Sequence, residues 1–72
     1  NPASEKMTVE TSGISENGQL IITDMTGKEV FHETASNSQQ IDVSHLQNGL
    51  YFLTLTDNGT IVRKERIVVQ HP

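Results

Sequence analysis

Short runs of β-branched and apolar residues, separated by turns that contain glycine, dominate this chain. Such runs indicate β-strands, and no segment shows the sustained 3.6-residue periodicity of an amphipathic helix. The predicted strands are residues 6–10, 19–24, 29–33, 39–43, 50–56 and 61–69. Their roughly even spacing predicts an all-β fold, an immunoglobulin-like β-sandwich of six to seven short, mainly antiparallel strands.

Two of these segments are expected to organise the core. Segment 19–24 is almost continuously apolar, which predicts a central strand covered on both faces. The turn at Thr26-Gly27 makes segment 29–33 its hairpin partner. The strand at 50–56 has two faces, because successive side chains on a strand point in opposite directions. Its core face is predicted to carry Tyr51, Leu53 and Leu55.

Glycine-containing turns separate the strands. Asn17-Gly18 is predicted to be a turn of positive φ, and Asn58-Gly59 a hairpin turn. Between them, Ser44 is expected to cap one helical turn that Gly49 ends in the left-handed conformation. Gly49 and Gly59 are therefore expected to be required by the backbone.

The last strand, residues 61–69, has no wholly apolar face. Two explanations stay open: a bulge that switches the faces midway, or an edge strand with its charged centre in water. The residues alone favour an ordinary last strand of the sandwich. An exposed edge of this kind can also be recognised by strand addition to a partner protein.

Composition limits the classes of function. The 72 residues amount to one domain, and the absence of cysteine excludes disulfides and thiolate metal sites. The net charge of −4 combines an acidic body, −6 over residues 1–60, with a basic end, +2 over residues 61–72. Nucleic acid binding is not expected, because it requires a broad basic face.

No apolar run is long enough to insert into a membrane. The sequence begins without a signal peptide, so an exported form is expected to carry one on a longer precursor.

No catalytic, cofactor or metal site is predicted. Asp42, Ser44 and His45 have the residue types of a hydrolytic triad, but side chains so close along the chain diverge. His32 and His71 lie at no metal-ligand spacing relative to each other or to His45, and all three are expected at the surface.

Several motifs, in order, resemble the C-terminal sorting domain of type IX secretion cargo from the Bacteroidetes, in its type A form. The resemblance covers essentially the whole chain. It is carried by Asn1-Pro2-Ala3 at the start, by Ile22, Asp24 and Gly27, by Ile41, Asp42, Val43, Ser44 and Leu46, and by Gly49, Tyr51, Leu53 and Leu55.

The resemblance implies a non-catalytic secretion signal, with residues 1–72 forming a single sorting domain excised from a larger secreted precursor. It implies recognition by the type IX translocon and its shuttle proteins, passage through the periplasm, and removal by a cysteine peptidase at the cell surface. The cargo would then be at the surface or outside the cell. The residues expected to carry the signal are Arg63, Lys64, Arg66, Ile67, Val68 and Val69.

The chain departs from the family at its end. Members often finish with lysine beside an apolar pair, whereas here Val69 is followed by Gln70-His71-Pro72. The alternative function is an immunoglobulin-like accessory domain for carbohydrate binding or adhesion. Carbohydrate-binding sandwiches usually expose an aromatic platform, and this chain has three aromatic residues and no tryptophan. A weak homodimer through an exposed final strand is also left open.

Overall fold

The computed structural model describes residues 5–72, so the Asn1-Pro2-Ala3 segment lies outside the described residues. The described chain forms six strands and no helix, which confirms the all-β prediction. The strands are β1 (Lys6–Glu10), β2 (Gly18–Thr23), β3 (Glu29–Thr34), β4 (Ser38–Asp42), β5 (Gly49–Asp57) and β6 (Thr60–Val69). Each predicted strand is present, with its ends within one residue of the expected position.

The strands form two antiparallel sheets, an arrangement that fits the predicted immunoglobulin-like sandwich. One sheet has four strands in the order β3-β2-β5-β6, and the other pairs β1 with β4. The β2–β3 and β5–β6 pairs are hairpins between chain neighbours. The β2–β5 and β1–β4 pairs join segments far apart in sequence, and they close the fold.

A single buried cluster lies between the sheets. Burial alternates along β2 and β5, as it must when one face of a strand is covered. Both sheets contribute to this cluster, so neither could hold its apolar face out of water alone. The buried apolar residues are Val9, Leu20, Ile22, Ala35, Ile41, Val43, Tyr51, Leu53, Leu55, Ile67 and Val69.

The expectation that β2 is covered on both faces is wrong. Its inward residues Leu20 and Ile22 are fully buried, whereas its outward residue Ile21 is only half-buried. The physical reason is the short supply of apolar residues, one third of the chain. These fill one interface between two sheets, and no third layer covers the outer face within residues 5–72.

Two aspartates hold the turns that follow β2 and β4. The Asp24 carboxylate accepts hydrogen bonds from the Thr26 N–H (2.9 Å), the Thr26 hydroxyl (2.6 Å) and the Lys28 N–H (3.0 Å). Asp42 repeats the arrangement with the N–H and the hydroxyl of Ser44. In each case a carboxylate replaces the backbone partner that the chain loses on leaving a sheet. These bonds explain why the turns need aspartate.

Ser44 does not cap a helix, contrary to the sequence prediction. The segment forms one turn, closed by the Leu46 N–H on the Val43 carbonyl at 3.0 Å. Asp42, two residues earlier than the predicted cap at Ser44, accepts the hydrogen bonds at its start. The Asp42 side chain, one residue before the turn, can reach the N–H and the hydroxyl of Ser44. The Ser44 hydroxyl therefore acts as a donor to Asp42 and does not accept as a cap would.

The glycines divide into two groups. Asn58 and Gly59 both have positive φ, as does Gly27, so the predicted hairpin turn is confirmed. The left-handed conformation predicted for Gly49 is wrong, because Gly49 begins β5 with no positive φ. The turn predicted at Asn17-Gly18 is present, closed by the Gly18 N–H on the Ser15 carbonyl at 3.1 Å, but Gly18 has no positive φ. Gly18 begins β2 and is buried where the Ile14 side chain leaves no space for a Cβ atom.

A pair of alanine substitutions tests these two corrections. Gly18→Ala should lower the free energy of unfolding by about 1–3 kcal/mol, because the new methyl overlaps Ile14 in a packed site. Gly49→Ala should leave it unchanged or raise it by up to about 1 kcal/mol, because its Cβ meets only Tyr51 at 3.9 Å. Urea unfolding measures both values, and a large loss in Gly49→Ala would contradict the extended conformation.

Acid should destabilise the domain through three aspartates. The hydroxyl of Thr26 lowers the pKa of Asp24, that of Ser44 lowers the pKa of Asp42, and that of Ser15 lowers the pKa of Asp57. A lowered folded-state pKa means that the unfolded chain binds more protons in this range. The stabilisation is therefore complete above the unfolded pKa, about 3.9, and is lost as the pH falls through the lower folded values.

The melting temperature should accordingly decrease once the pH drops below about 4. The variant Asp24→Asn/Asp42→Asn/Asp57→Asn should start from a lower melting temperature at pH 7 and lose less of it on acidification. Thermal unfolding between pH 2 and pH 7 measures this, and an equally steep acid limb in the variant would contradict the assignment.

Candidate functional site

The last strand, β6, lies at the edge of the four-stranded sheet. It pairs with β5 along its whole length, from Val69 opposite Gly49 to Thr60 opposite Asp57. Its other side meets no strand in the described chain. The tight turn at Asn58-Gly59 directs the chain straight back along β5 and so fixes β6 in this position.

A bulge divides β6 into two parts. Arg63 lies opposite Leu55 and Ile61 lies opposite Thr56, so Val62 is an extra residue in the ladder. Both explanations for the irregular pattern are therefore correct, because β6 is an edge strand and also contains a bulge. Beyond the bulge the inward residues are Arg63, Glu65, Ile67 and Val69, and the outward residues are Lys64, Arg66 and Val68.

The inward face of β6 changes character along its length. Ile67 (9 % exposed) and Val69 (1 %) lie in the core opposite β5 residues. Arg63 and Glu65 also point inward but form an ion pair with each other. Arg63 Nη1 donates to the backbone carbonyl of Glu10 at 2.9 Å, and this bond ties β6 to the end of β1 in the other sheet.

The outward face of β6 is basic and accessible. Lys64 and Arg66 are exposed, and no carboxylate of residues 5–72 lies within ion-pair distance of either. Val68 continues the same face and is also exposed. Of the six residues predicted to carry a signal, the fold therefore brings three together on an open surface. Arg63, Ile67 and Val69 face the interior.

The segment after β6 is fixed to the protein. The His71 N–H donates to Asn48 Oδ1 at 2.8 Å, and the His71 ring nitrogen Nε2 contacts the Leu46 carbonyl at 2.7 Å, as a donor when it carries the proton. The expectation of a surface histidine is therefore wrong for His71, which is half-buried. Its partners lie more than twenty residues earlier in the chain, so no local pattern could have indicated them.

The remaining motif residues build the scaffold under β6. Tyr51, Leu53 and Leu55 are buried, which confirms the predicted core face of β5. The Tyr51 hydroxyl donates to the Gln47 carbonyl at 2.8 Å and thereby satisfies its polar end. Leu46 packs against the same core. These motif positions therefore serve folding, and they hold β5 where β6 can pair with it.

The candidate triad has the wrong contacts for catalysis. The Ser44 hydroxyl donates to Asp42 at 2.6 Å, whereas a nucleophile must donate to the histidine. Residues 5–72 contain no cluster of three or more potential metal ligands among His, Asp and Glu. The same residues include no helix long and apolar enough to cross a membrane.

The three aromatic side chains lie apart. Tyr51 is buried, Phe31 packs against the core, and Phe52 lies half-buried on the outer face of the sheet. They do not form the flat platform that a sugar ring stacks on.

A cleft of about 590 Å³ opens between the β1–β2 loop and the β5–β6 hairpin. Its two best-placed charged groups, Asp57 and Arg63, already have partners in the protein. The Asp57 carboxylate accepts from the N–H and the hydroxyl of Ser15, and Arg63 donates to the Glu10 carbonyl. The cleft therefore offers few unpaired groups for a ligand.

Comparison with known protein families gives a match over nearly the whole chain. The profile described as "Secretion system C-terminal sorting domain" matches residues 1–70 of the 72. Comparisons with curated proteins and with solved structures found no match.

Arginine-to-alanine changes separate the two faces of β6. Arg63→Ala removes the hydrogen bond to the Glu10 carbonyl that links the two sheets, so it should lower the free energy of unfolding by about 1 kcal/mol. Arg66→Ala, on the outward face, should change it by less than about 0.5 kcal/mol. Urea unfolding checks both, and equal losses would show that Arg63 does not connect the sheets.

Proposed function

The chain belongs to the family of secretion system C-terminal sorting domains, and on this basis we propose that β6 is the element that the type IX translocon and its shuttle proteins recognise. Membership makes the domain a C-terminal signal for type IX secretion. The members of this family are not known to be catalytic. Its cargo is exported to the cell surface or beyond. The finer assignment to β6 rests on the geometry of that strand.

The exposed basic face of β6 supports its role as the recognition element. Lys64 and Arg66 stand in water without acidic partners in the described chain, on a protein whose net charge is −4. Unpaired charge at a protein surface can be neutralised by a partner at little cost to the fold. In this proposal Lys64, Arg66 and Val68 contact the machinery, whereas Arg63, Ile67 and Val69 hold the strand in position.

The domain acts at the end of a longer secreted precursor in this proposal. It crosses the periplasm as a folded sandwich, and a surface cysteine peptidase cuts upstream of it. The pairing of β1 with β4 supports this order of events, because β1 is held by backbone hydrogen bonds and by burial of Val9. A cut upstream of Asn1 would therefore leave these contacts in place.

The accessory-domain alternative lacks a supporting observation, since the aromatic residues form no platform. A homodimer through the free edge of β6 stays a prediction. The bulge at Val62 and the inward charges Arg63 and Glu65 work against it, because both features hinder edge-to-edge pairing of sheets.

A transplanted domain tests the proposed function. Residues 1–72 with their native upstream linker are fused to a periplasm-targeted fluorescent passenger in a bacterium that has a type IX system. We expect the passenger at the surface or in the medium, separated from the domain. Fractionation and immunoblotting measure it, and passenger retained in the periplasm beside a folded domain would contradict the proposal.

Two variants locate the signal within this test. Deletion of residues 61–72 should abolish secretion, but it also removes the buried residues Ile67 and Val69 and so damages the core. The double variant Lys64→Gln/Arg66→Gln keeps the core and should still reduce secretion. Lys6→Gln, at an exposed lysine on the other sheet, is the matched control and should be secreted normally.

A further inference from the structure

A groove of about 410 Å³ crosses the outer face of the four-stranded sheet. Its floor is formed by β5, and the turn between β2 and β3 forms one wall. Lys64 on the outward face of β6 forms the other wall. We call it the outer-face groove; its lining is Thr23, Asp24, Met25, Gly27, Phe52, Thr54 and Lys64.

Met25 is the most exposed large apolar side chain of the described residues, at 71 %. The turn does not need it, since the hydrogen bonds there involve Asp24, Thr26, Gly27 and Lys28. Met25 and Phe52 both line the groove, and a concave site that holds apolar side chains beside a few polar groups is typical of binding sites.

The turn that carries Met25 is rigid. Asp24 accepts three hydrogen bonds within it, and the Asp24 N–H donates to the Lys28 carbonyl at 2.9 Å. Gly27 reverses the chain at positive φ. A partner would therefore meet an already ordered wall, and little conformational entropy would be lost on binding.

Charge defines what fits this groove. Lys64 lies on its rim, and Arg66 lies beside Phe52 in the neighbouring ladder position. Neither has an acidic partner in residues 5–72, although the chain as a whole is acidic. Asp24 also lines the groove, on the wall opposite Lys64, and its Oδ1 atom accepts three hydrogen bonds from its own turn. Charge complementarity thus favours carboxylates on the β6 side and an apolar group beside Met25 and Phe52.

The free edge of β6 is a poorer route for a partner. The bulge at Val62 interrupts the ladder, and Arg63 and Glu65 place charges on the inward face of this edge strand. Such features oppose the addition of another strand. A partner that approaches the outward face avoids both obstacles.

We propose that the outer-face groove is the docking surface of the sorting domain, and that it takes a segment of a partner protein in which an apolar side chain stands next to carboxylates. The apolar side chain packs between Met25 and Phe52, and the carboxylates pair with Lys64 and Arg66. This inference rests on the proposed function. It adds the turn after β2 to a recognition surface otherwise confined to the last strand.

The passenger fusion tests the groove through Met25→Ser. This variant should reduce the secreted fraction by about fivefold or more, as removal of an anchor from an interface does. Its control is Thr8→Ser, at an exposed side chain of β1 in the other sheet, away from the groove and from β6. Both purified domains should keep the melting temperature of the parent, which separates loss of docking from loss of folding.

Photo-crosslinking identifies the chemistry of the occupant. The amino acid p-benzoylphenylalanine replaces Met25 in one fusion and the exposed Thr8 of β1 in another, and the cells are irradiated during secretion. The position-25 fusion should join to a partner peptide that contains an apolar residue next to Asp or Glu. The position-8 fusion should give no such product.

The outcomes separate this inference from the proposed function. If the parent fusion is secreted and Met25→Ser is secreted equally well, the groove is not the docking surface, whereas the sorting role stands. Crosslinks from position 8 alone, or to a segment without carboxylates, would also overturn the inference. If the parent fusion is not secreted at all, the proposed function fails and this inference fails with it.

Discussion

One buried interface between two small sheets governs this domain. The inward residues of β2 and β5 can leave water only when the two-stranded sheet of β1 and β4 covers them. With a third of its residues apolar and no disulfide, the chain has material for one such layer and no more. The outer face of the larger sheet is consequently half-exposed, and that open face is where a partner can bind.

The residues of the family motifs stabilise the turns and the core of this two-sheet fold. Asp24 and Asp42 supply hydrogen-bond acceptors at the points where β2 and β4 leave their sheets, and Tyr51, Leu53 and Leu55 fill the core. These positions maintain a scaffold and do not form a reactive site. A signal of this kind depends on a defined shape, so its motifs concentrate at turns and in the core.

In the proposed function, β6 has a structural role on one face and a recognition role on the other. Ile67 and Val69 are needed to complete the core, so the strand is bound into the domain as firmly as any other. Its outward residues Lys64 and Arg66 are exposed and do not contribute to the core. Because side chains alternate along a strand, both roles fit one segment without conflict. This division explains how a strand at the end of the chain can be presented to a partner while the fold remains closed.

The sequence by itself determined the strands, the Asn58-Gly59 hairpin and the core face of β5, because alternation and turn chemistry act between near neighbours. Its motifs also indicated the family. Only the tertiary structure decided the pairing of β1 with β4, the burial of Gly18 against Ile14 and the contacts of His71. It also decided which residues of β6 face water, since one bulge at Val62 exchanges the two faces. These features depend on groups that meet only after the chain has folded, and no local pattern records them.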